Sequence, residues 1–176
     1  EKADLVVFPE LAITGYPPLD LLFEKDFVDG NQAFLKQLIR HNDGILALVG
    51  FVDRKGENLY NAVSIFTENK QLGVAYKTLL PTYDVFDEGR YFKPARKEWI
   101  KPVSINLNGM NFRLGVEICE DLWDRNYDVP VTDVLSRRGA DVIVNVSASP
   151  FYAGKWIERL QLWSQKARKN KLPIFY

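Results

Sequence analysis

The sequence predicts a mixed α/β domain whose sheets combine parallel and antiparallel strands, and three observations carry that prediction. Short runs rich in Val, Ile, Leu and Phe recur along the chain, bounded by Gly, Pro, Asn or Asp. Stretches with apolar residues at 3.6 spacing fall between them. Asn108-Gly109 joins two of the runs, which is the strongest short-range hairpin signal. Alternation of strands with helices alone would give a parallel sheet, but hairpins interrupt it, so the sheets are expected to be mixed. The 176 residues suit one domain, and at roughly 150 residues a fold buries close to 70% of its chain surface.

Taken in order, Asp4–Phe8 reads as the first strand. Phe27, Phe34, Leu35, Leu38 and Ile39 then form a helical stripe, weakened in the middle by Gly30. Ile45–Val52, Tyr60–Phe66 and Gly73–Tyr76 read as strands, the last two parted by a short polar turn at Glu68-Asn69-Lys70. Val103–Leu107 and Asn111–Ile118 flank Asn108-Gly109 and should pair antiparallel. Val129–Arg138 is a short helix ending at Gly139, and Asp141–Val146 is a strand. Trp156, Leu160, Trp163 and Ala167 fall at i, i+4, i+7 and i+11, with Lys and Arg in the final turns where the helix dipole favours them. Ile174–Tyr176 is a further strand. No repeat, low-complexity tract or dividing linker is visible. The chain opens at Glu1 without a methionine and stops on an apolar run, so it reads as the interior of a longer chain.

Charge and composition narrow the function. Lys and Arg number 23, as do Asp and Glu; a nucleic-acid binder would carry a basic excess. The single cysteine rules out an internal disulfide framework. No apolar run approaches the ~20 residues a bilayer requires, and no signal peptide is evident, so the expectation is a soluble, cytoplasmic domain without a membrane or nucleic-acid partner. There is no G-x-G-x-x-G after a strand. Gly154-Lys155 is followed by Trp156 and lacks the earlier glycine of a phosphate-gripping loop. His41 lies in a polar run and reads as a helix-end cap. With one His and one Cys, a transition-metal site is not expected.

Three residues occupy one recurring position, the end of a buried strand where side chains meet at a sheet's rim. Glu10 follows Leu5–Pro9, Lys77 follows Val74–Tyr76, and Cys119 follows Leu114–Ile118. A carboxylate, an ammonium and a thiol can together perform nucleophilic catalysis. Each also has an ordinary reading, as a capping carboxylate, a surface charge and a packed small hydrophobe, and spacing alone does not bring the three together. Glu117, Glu120, Asp121 and Asp124 crowd Cys119. Such neighbours are expected to raise the thiol's pKa, so a reactive Cys119 needs a nearby cation, a base, or both.

With these residues in view, the chain resembles the nitrilase, or carbon–nitrogen hydrolase, superfamily over essentially its whole length. Phe8-Pro9-Glu10, Lys77-Thr78-Leu79-Leu80-Pro81 and Ile118-Cys119-Glu120-Asp121 are similar to that family's three signatures, in the family's order. Thr14–Asp20, Tyr83–Phe92, Cys119–Trp123, Asn145–Phe151 and Gly154-Lys155 are similar to the glutaminase domains of glutamine-dependent NAD synthetases.

The resemblance implies a nitrilase-like αββα sandwich of two mixed sheets, incomplete at both ends over residues 1–176, and an oligomer. It implies a Glu–Lys–Cys triad: Glu10 as general base, Cys119 as nucleophile toward the carboxamide of glutamine, and Lys77 with the Glu120 backbone N–H as oxyanion donors. Glu88, eleven residues after Lys77, would orient Lys77 and the leaving group. Tyr16, Phe86, Glu120, Trp123 and Ser147 would line the substrate pocket, Glu120 meeting the α-ammonium. The ammonia would pass to an ATP-dependent NAD synthetase domain outside this chain. No cofactor is therefore expected on these residues, and ATP and Mg²⁺ belong to that other domain. Two alternatives stay open on sequence: a stand-alone amidase or carbamoylase acting on another small amide, and a catalytically silent assembly domain.

Overall fold

A computed structural model describes residues 3–176. The strands β1 (Leu5–Val7), β2 (Leu46–Lys55), β3 (Asn58–Thr67) and β4 (Lys70–Tyr76) form one four-stranded sheet in that order. The strands β5 (Val103–Leu107), β6 (Met110–Ile118), β7 (Val142–Val146) and β8 (Ile174–Phe175) form a second. Both are mixed: β1 runs parallel to β2 and β6–β7–β8 are parallel, while β2–β3–β4 and β5–β6 are antiparallel. Three α-helices, α1 (Lys25–Arg40), α2 (Val131–Arg137) and α3 (Lys155–Asn170), complete the fold.

Two of the three hairpins, β3–β4 and β5–β6, share one local chemistry. A two-residue type I′ turn needs both central residues at positive φ, and its twist matches that of the strands. Asn108 and Gly109 adopt φ +51 and +81, and Glu68 and Asn69 adopt +48 and +60. Register then places Leu107 opposite Met110 and Thr67 opposite Lys70.

Period-two alternation sorts the side chains into layers. Leu46 and Leu48 of β2 face the second sheet and pack with Val63, Ile65, Leu114, Val116, Ile118 and Val144. Ala47, Val49 and Phe51 face the other way, onto Leu35, Leu38 and Ile39 of α1. On the far side Val131, Val134 and Leu135 of α2 cover Ile143. The result is helix, sheet, sheet, helix, as expected. Burial of β2 on both faces explains its nearly continuous apolar run. α1 passes through Gly30 without interruption; packing of its inner stripe outweighs the ~1 kcal/mol that a helical glycine costs.

The expected stripe of α3 is corrected. Trp156 and Leu160 are exposed, whereas Leu162 and Lys166 are buried. The inward face of this helix is built from polar attachments: Lys166 pairs with Asp124, and Lys169 and Asn170 bind Asp133. Hydrophobic periodicity cannot find a face of that kind. Among the described residues no helix is long and apolar enough to cross a membrane.

One glycine fixes how β2 meets the chain after β1. A Cβ on Gly50 would lie 2.3 Å from the Pro9 carbonyl oxygen and 2.4 Å from the Leu11 nitrogen. Gly50→Ala must therefore push Glu10's own backbone away, and overpacking of this sort costs about 1–3 kcal/mol. The expected outcome is a lower urea midpoint with an unchanged slope; an unchanged midpoint would show that the close approach is not real.

Candidate active site

The C-terminal ends of β1, β4 and β6 meet at one place. Glu10, Lys77 and Cys119 are all buried there. The Lys77 Nζ donates to Glu10 Oε1 and to Glu88 Oε1, each at 2.7 Å. Burial would strip the ammonium of its proton, but the carboxylates of Glu10 and Glu88 on either side outweigh it and hold Lys77 well above its ordinary pKa. Glu88 lies in a one-turn 3-10 helix, Glu88–Arg90. It is pushed up by burial, with Lys77 pulling the other way, and its Oε1 also accepts the Tyr16 hydroxyl at 2.8 Å. Its Oε2 is buried without a partner.

Cys119 stands where β6 turns into another one-turn helix, Cys119–Leu122, and its φ is +47. A non-glycine residue in that region stores on the order of 1–3 kcal/mol and persists only when its surroundings over-determine it. Asp121 does much of this. Its Oδ2 accepts the Ile118 N–H at 3.0 Å, and its Oδ1 accepts the Thr78 and Leu79 N–H groups, both at 2.9 Å. One carboxylate thus staples the residue before the thiol to the residues after Lys77, joining the two sheets at the ends where Lys77 and Cys119 lie. Asn145 adds a weaker tie, with Nδ2 3.4 Å from the Cys119 carbonyl.

The thiol's pKa is pushed up to about 12, first by burial and then by Glu10, with Lys77 and Ser147 pulling it down. The direction agrees with the sequence reading, but the cause differs. The acids adjacent in sequence are engaged elsewhere. Glu120 accepts the hydroxyls of Tyr83 and Tyr127 at 2.9–3.0 Å, and Asp124 pairs with Lys166.

Of the expected pocket residues, Tyr16 and Phe86 line a cavity of about 290 Å³ that reaches Glu88 and Ala148; Pro17, Pro18, Leu22 and Val85 form part of its wall, with Asp87 and Ser149 among the polar members. Glu120 and Trp123 line a different cavity of about 720 Å³, with Tyr83, Tyr127 and Arg125. Ser147 belongs to neither wall: its hydroxyl bonds Ser149 and Tyr176, and it faces the Cys119 thiol. The five residues are therefore split around the triad. His41 closes α1, its Nδ1 2.8 Å from the Gln37 carbonyl. Among the described residues no group of three His, Cys, Asp or Glu side chains could hold a metal ion.

Sequence reasoning missed Asn61 and the Ala148 amide. Asn61 Nδ2 donates to Glu10 Oε1 at 2.8 Å, its carbonyl accepts the Lys77 N–H at 2.9 Å, and Ala148 N donates to Glu10 Oε2 at 3.2 Å. The available signal was an asparagine inside an apolar strand, where that residue type is depleted. The Ala148 amide left no signal, since any residue but proline supplies it.

Sequence and fold comparisons agree on what this chain resembles. The carbon–nitrogen hydrolase family profile matches residues 1–174. The glutamine-dependent NAD(+) synthetase of Thermotoga maritima is 40% identical over 176 residues, covering 99% of this chain and 29% of that protein. The corresponding Synechocystis protein is 38% identical over 190 residues, covering 99% and 33%. The chain thus spans about a third or less of these relatives. The solved glutamine-dependent NAD+ synthetase of Acinetobacter baumannii superimposes with a TM-score of 0.85 at 31% identity, over 99% of this chain and 31% of the other. A carbon–nitrogen hydrolase from Helicobacter pylori shares the fold, with a TM-score of 0.72 at 22% identity over 97% of this chain and 59% of the other.

A second buried carboxyl yields a stability prediction. Glu117 on β6 is wholly enclosed, and burial pushes its pKa up to about 7, with only a long hydrogen bond from Asn145 Nδ2 to its Oε2 at 3.5 Å. An acid with a raised native pKa keeps a proton that the unfolded chain releases. Its contribution is therefore complete below the ordinary carboxylate range and is lost as pH climbs to about 7, by up to about 3 kcal/mol. Relative to the parent, Glu117→Gln should gain stability between pH 5.5 and pH 8 in urea titrations. A difference independent of pH would contradict this.

Proposed function

The chain belongs to the carbon–nitrogen hydrolase family, and from that premise we propose that it hydrolyses the side-chain amide of glutamine through Glu10, Lys77 and Cys119, releasing ammonia for NAD synthesis. The observation that carries the reading is the Lys77 ammonium fixed between Glu10 and Glu88, 2.7 Å from each, beside a buried thiol at a strained strand end.

Each role follows from the remaining hydrogen-bonding capacity. Glu10 Oε1 is filled by Lys77 and Asn61, so Oε2, which holds only the Ala148 N–H, is the oxygen left to take the thiol proton. A thiol with its pKa near 12 is neutral at rest, and proton transfer to Glu10 accompanies attack. The Sγ–C bond forms as the carbonyl becomes an oxyanion, held by Lys77 and the Glu120 N–H; one such donor is typically worth about 3–4 kcal/mol. Glu10 returns the proton to the amide nitrogen, the C–N bond breaks, and ammonia leaves a thioester. Water, deprotonated by Glu10, then splits the thioester to glutamate and thiol. The unpartnered Oε2 of Glu88 is suited to accept an amide N–H and hold the leaving group. Tyr16 fixes Glu88 from the other side.

Glu120 offers an anion for the substrate's α-ammonium, its carboxylate already oriented by two phenols. The relatives' names support glutamine and an NAD-synthesising partner domain; ATP and Mg²⁺ are assigned to that partner and not to these residues. A second reading, an amidase for another small amide, draws on the apolar wall of the cavity beside Glu88. Steady-state rates on glutamine against a panel of aliphatic amides and carbamoyl compounds decide between them.

Cys119→Ala is expected to lower glutamine hydrolysis by at least about 10³-fold with the fold retained, and to abolish adduct formation with labelled diazo-oxo-norleucine. Retained turnover or labelling would remove Cys119 from the nucleophile's role. Glu10→Gln should likewise abolish turnover; an active variant would show that another base takes the thiol proton.

A further inference from the structure

The segment that follows β7, Ser147–Pro150, touches two members of the triad. The Ala148 N–H donates to Glu10 Oε2 at 3.2 Å, on the oxygen left for the thiol proton, and the Ser147 hydroxyl faces Cys119. Residues 147–150 belong to no helix or strand, so nothing in their own backbone ladder sets their position. They are held from outside.

The hold comes from α3 and the end of β8. One guanidinium nitrogen of Arg159 reaches Ser149 Oγ at 2.6 Å, the Pro150 carbonyl at 2.9 Å and the Ser149 carbonyl at 3.4 Å. The Tyr176 hydroxyl lies 2.8 Å from Ser149 Oγ and 2.9 Å from Ser147 Oγ. Arg159 sits over the Tyr176 ring at 5.3 Å, and that ring packs on Trp163 with centroids 4.2 Å apart. Two side chains, one on a helix and one beside a strand, thereby converge on four consecutive residues.

We propose that Arg159, with Tyr176, is a positioning residue that sets the Ala148 amide on Glu10 and the Ser147 hydroxyl on Cys119 by clamping Ser147–Pro150. The inference rests on the triad reading above and names a control point which that reading lacks. A multi-donor side chain suits this place, because a hydroxyl and two carbonyls of two consecutive residues, Ser149 and Pro150, converge on one guanidinium nitrogen. Loosening them lets the amide drift from Glu10. A displacement of about 1 Å at such a place costs on the order of 10²-fold in rate, without altering the groups that bind substrate.

The test uses the full-length protein and compares Arg159→Ala, Arg159→Lys and Tyr176→Phe with the parent in steady-state glutamine hydrolysis. The expected result is a fall in kcat of about 10²-fold for Arg159→Ala with KM nearly unchanged, and smaller falls for the other two. Millimolar guanidinium should restore part of the Arg159→Ala rate and none of a Cys119→Ala rate. A parental kcat in Arg159→Ala overturns the proposal, as does a loss that guanidinium leaves untouched and that follows the thermal unfolding curve. A parent protein that fails to hydrolyse glutamine refutes instead the reading beneath it, so the two failures are distinguishable.

Discussion

The arrangement depends on one buried cation. An ammonium withdrawn from water is sustained only by well-placed opposite charge, and Lys77 has two carboxylates within 2.7 Å. Glu10 arrives from the segment just beyond β1, Lys77 from the residue that follows β4, and Glu88 from a single helical turn further on. Removing either carboxylate would leave the cation with half its compensation, so the first sheet and the Glu88 turn are constrained together.

Much of the architecture was readable because hydrophobic burial and turn chemistry are local signals. All eight expected strands are present, with boundaries moved by a few residues, and the Asn108-Gly109 turn fixes the β5–β6 register outright. The packing of two sheets through Leu48, Ile65 and Ile118 was reached only through family resemblance. Alternation states that a strand has two buried faces and leaves open what covers each. The inward face of α3 escaped for a related reason. It is held by ion pairs and hydrogen bonds from Arg159, Lys166 and Asn170, and a hydrophobic stripe drawn through Trp156 and Leu160 points about a quarter-turn away from it.

The site divides similarly. Strand ends flagged Glu10, Lys77 and Cys119, because sheet topology gathers such positions at one rim. Their supports were invisible. Asn61 looks like a flaw in a strand until its partner is seen to be Glu10. Gly50 looks like an ordinary strand glycine until the Pro9 carbonyl is found where its side chain would be. Long-range contacts define both, across 51 residues for Asn61 and Glu10, and sequence spacing carries no information about them.

The acidic run around Cys119 is where local reasoning and three-dimensional structure part most clearly. In sequence Glu117, Glu120, Asp121 and Asp124 form one negative cloud about a nucleophile. In the fold each faces its own partners: Glu117 toward Asn145, Glu120 onto two tyrosines, Asp121 onto three backbone N–H groups, Asp124 onto Lys166. The largest influences on the thiol's pKa are burial, Glu10, Lys77 and Ser147. Asp121 acts as a mechanical part: its three hydrogen bonds hold a left-handed cysteine at a strand end and tie it to the residues that follow Lys77. Local sequence shows one acidic run, and only the fold shows that its members point to separate partners.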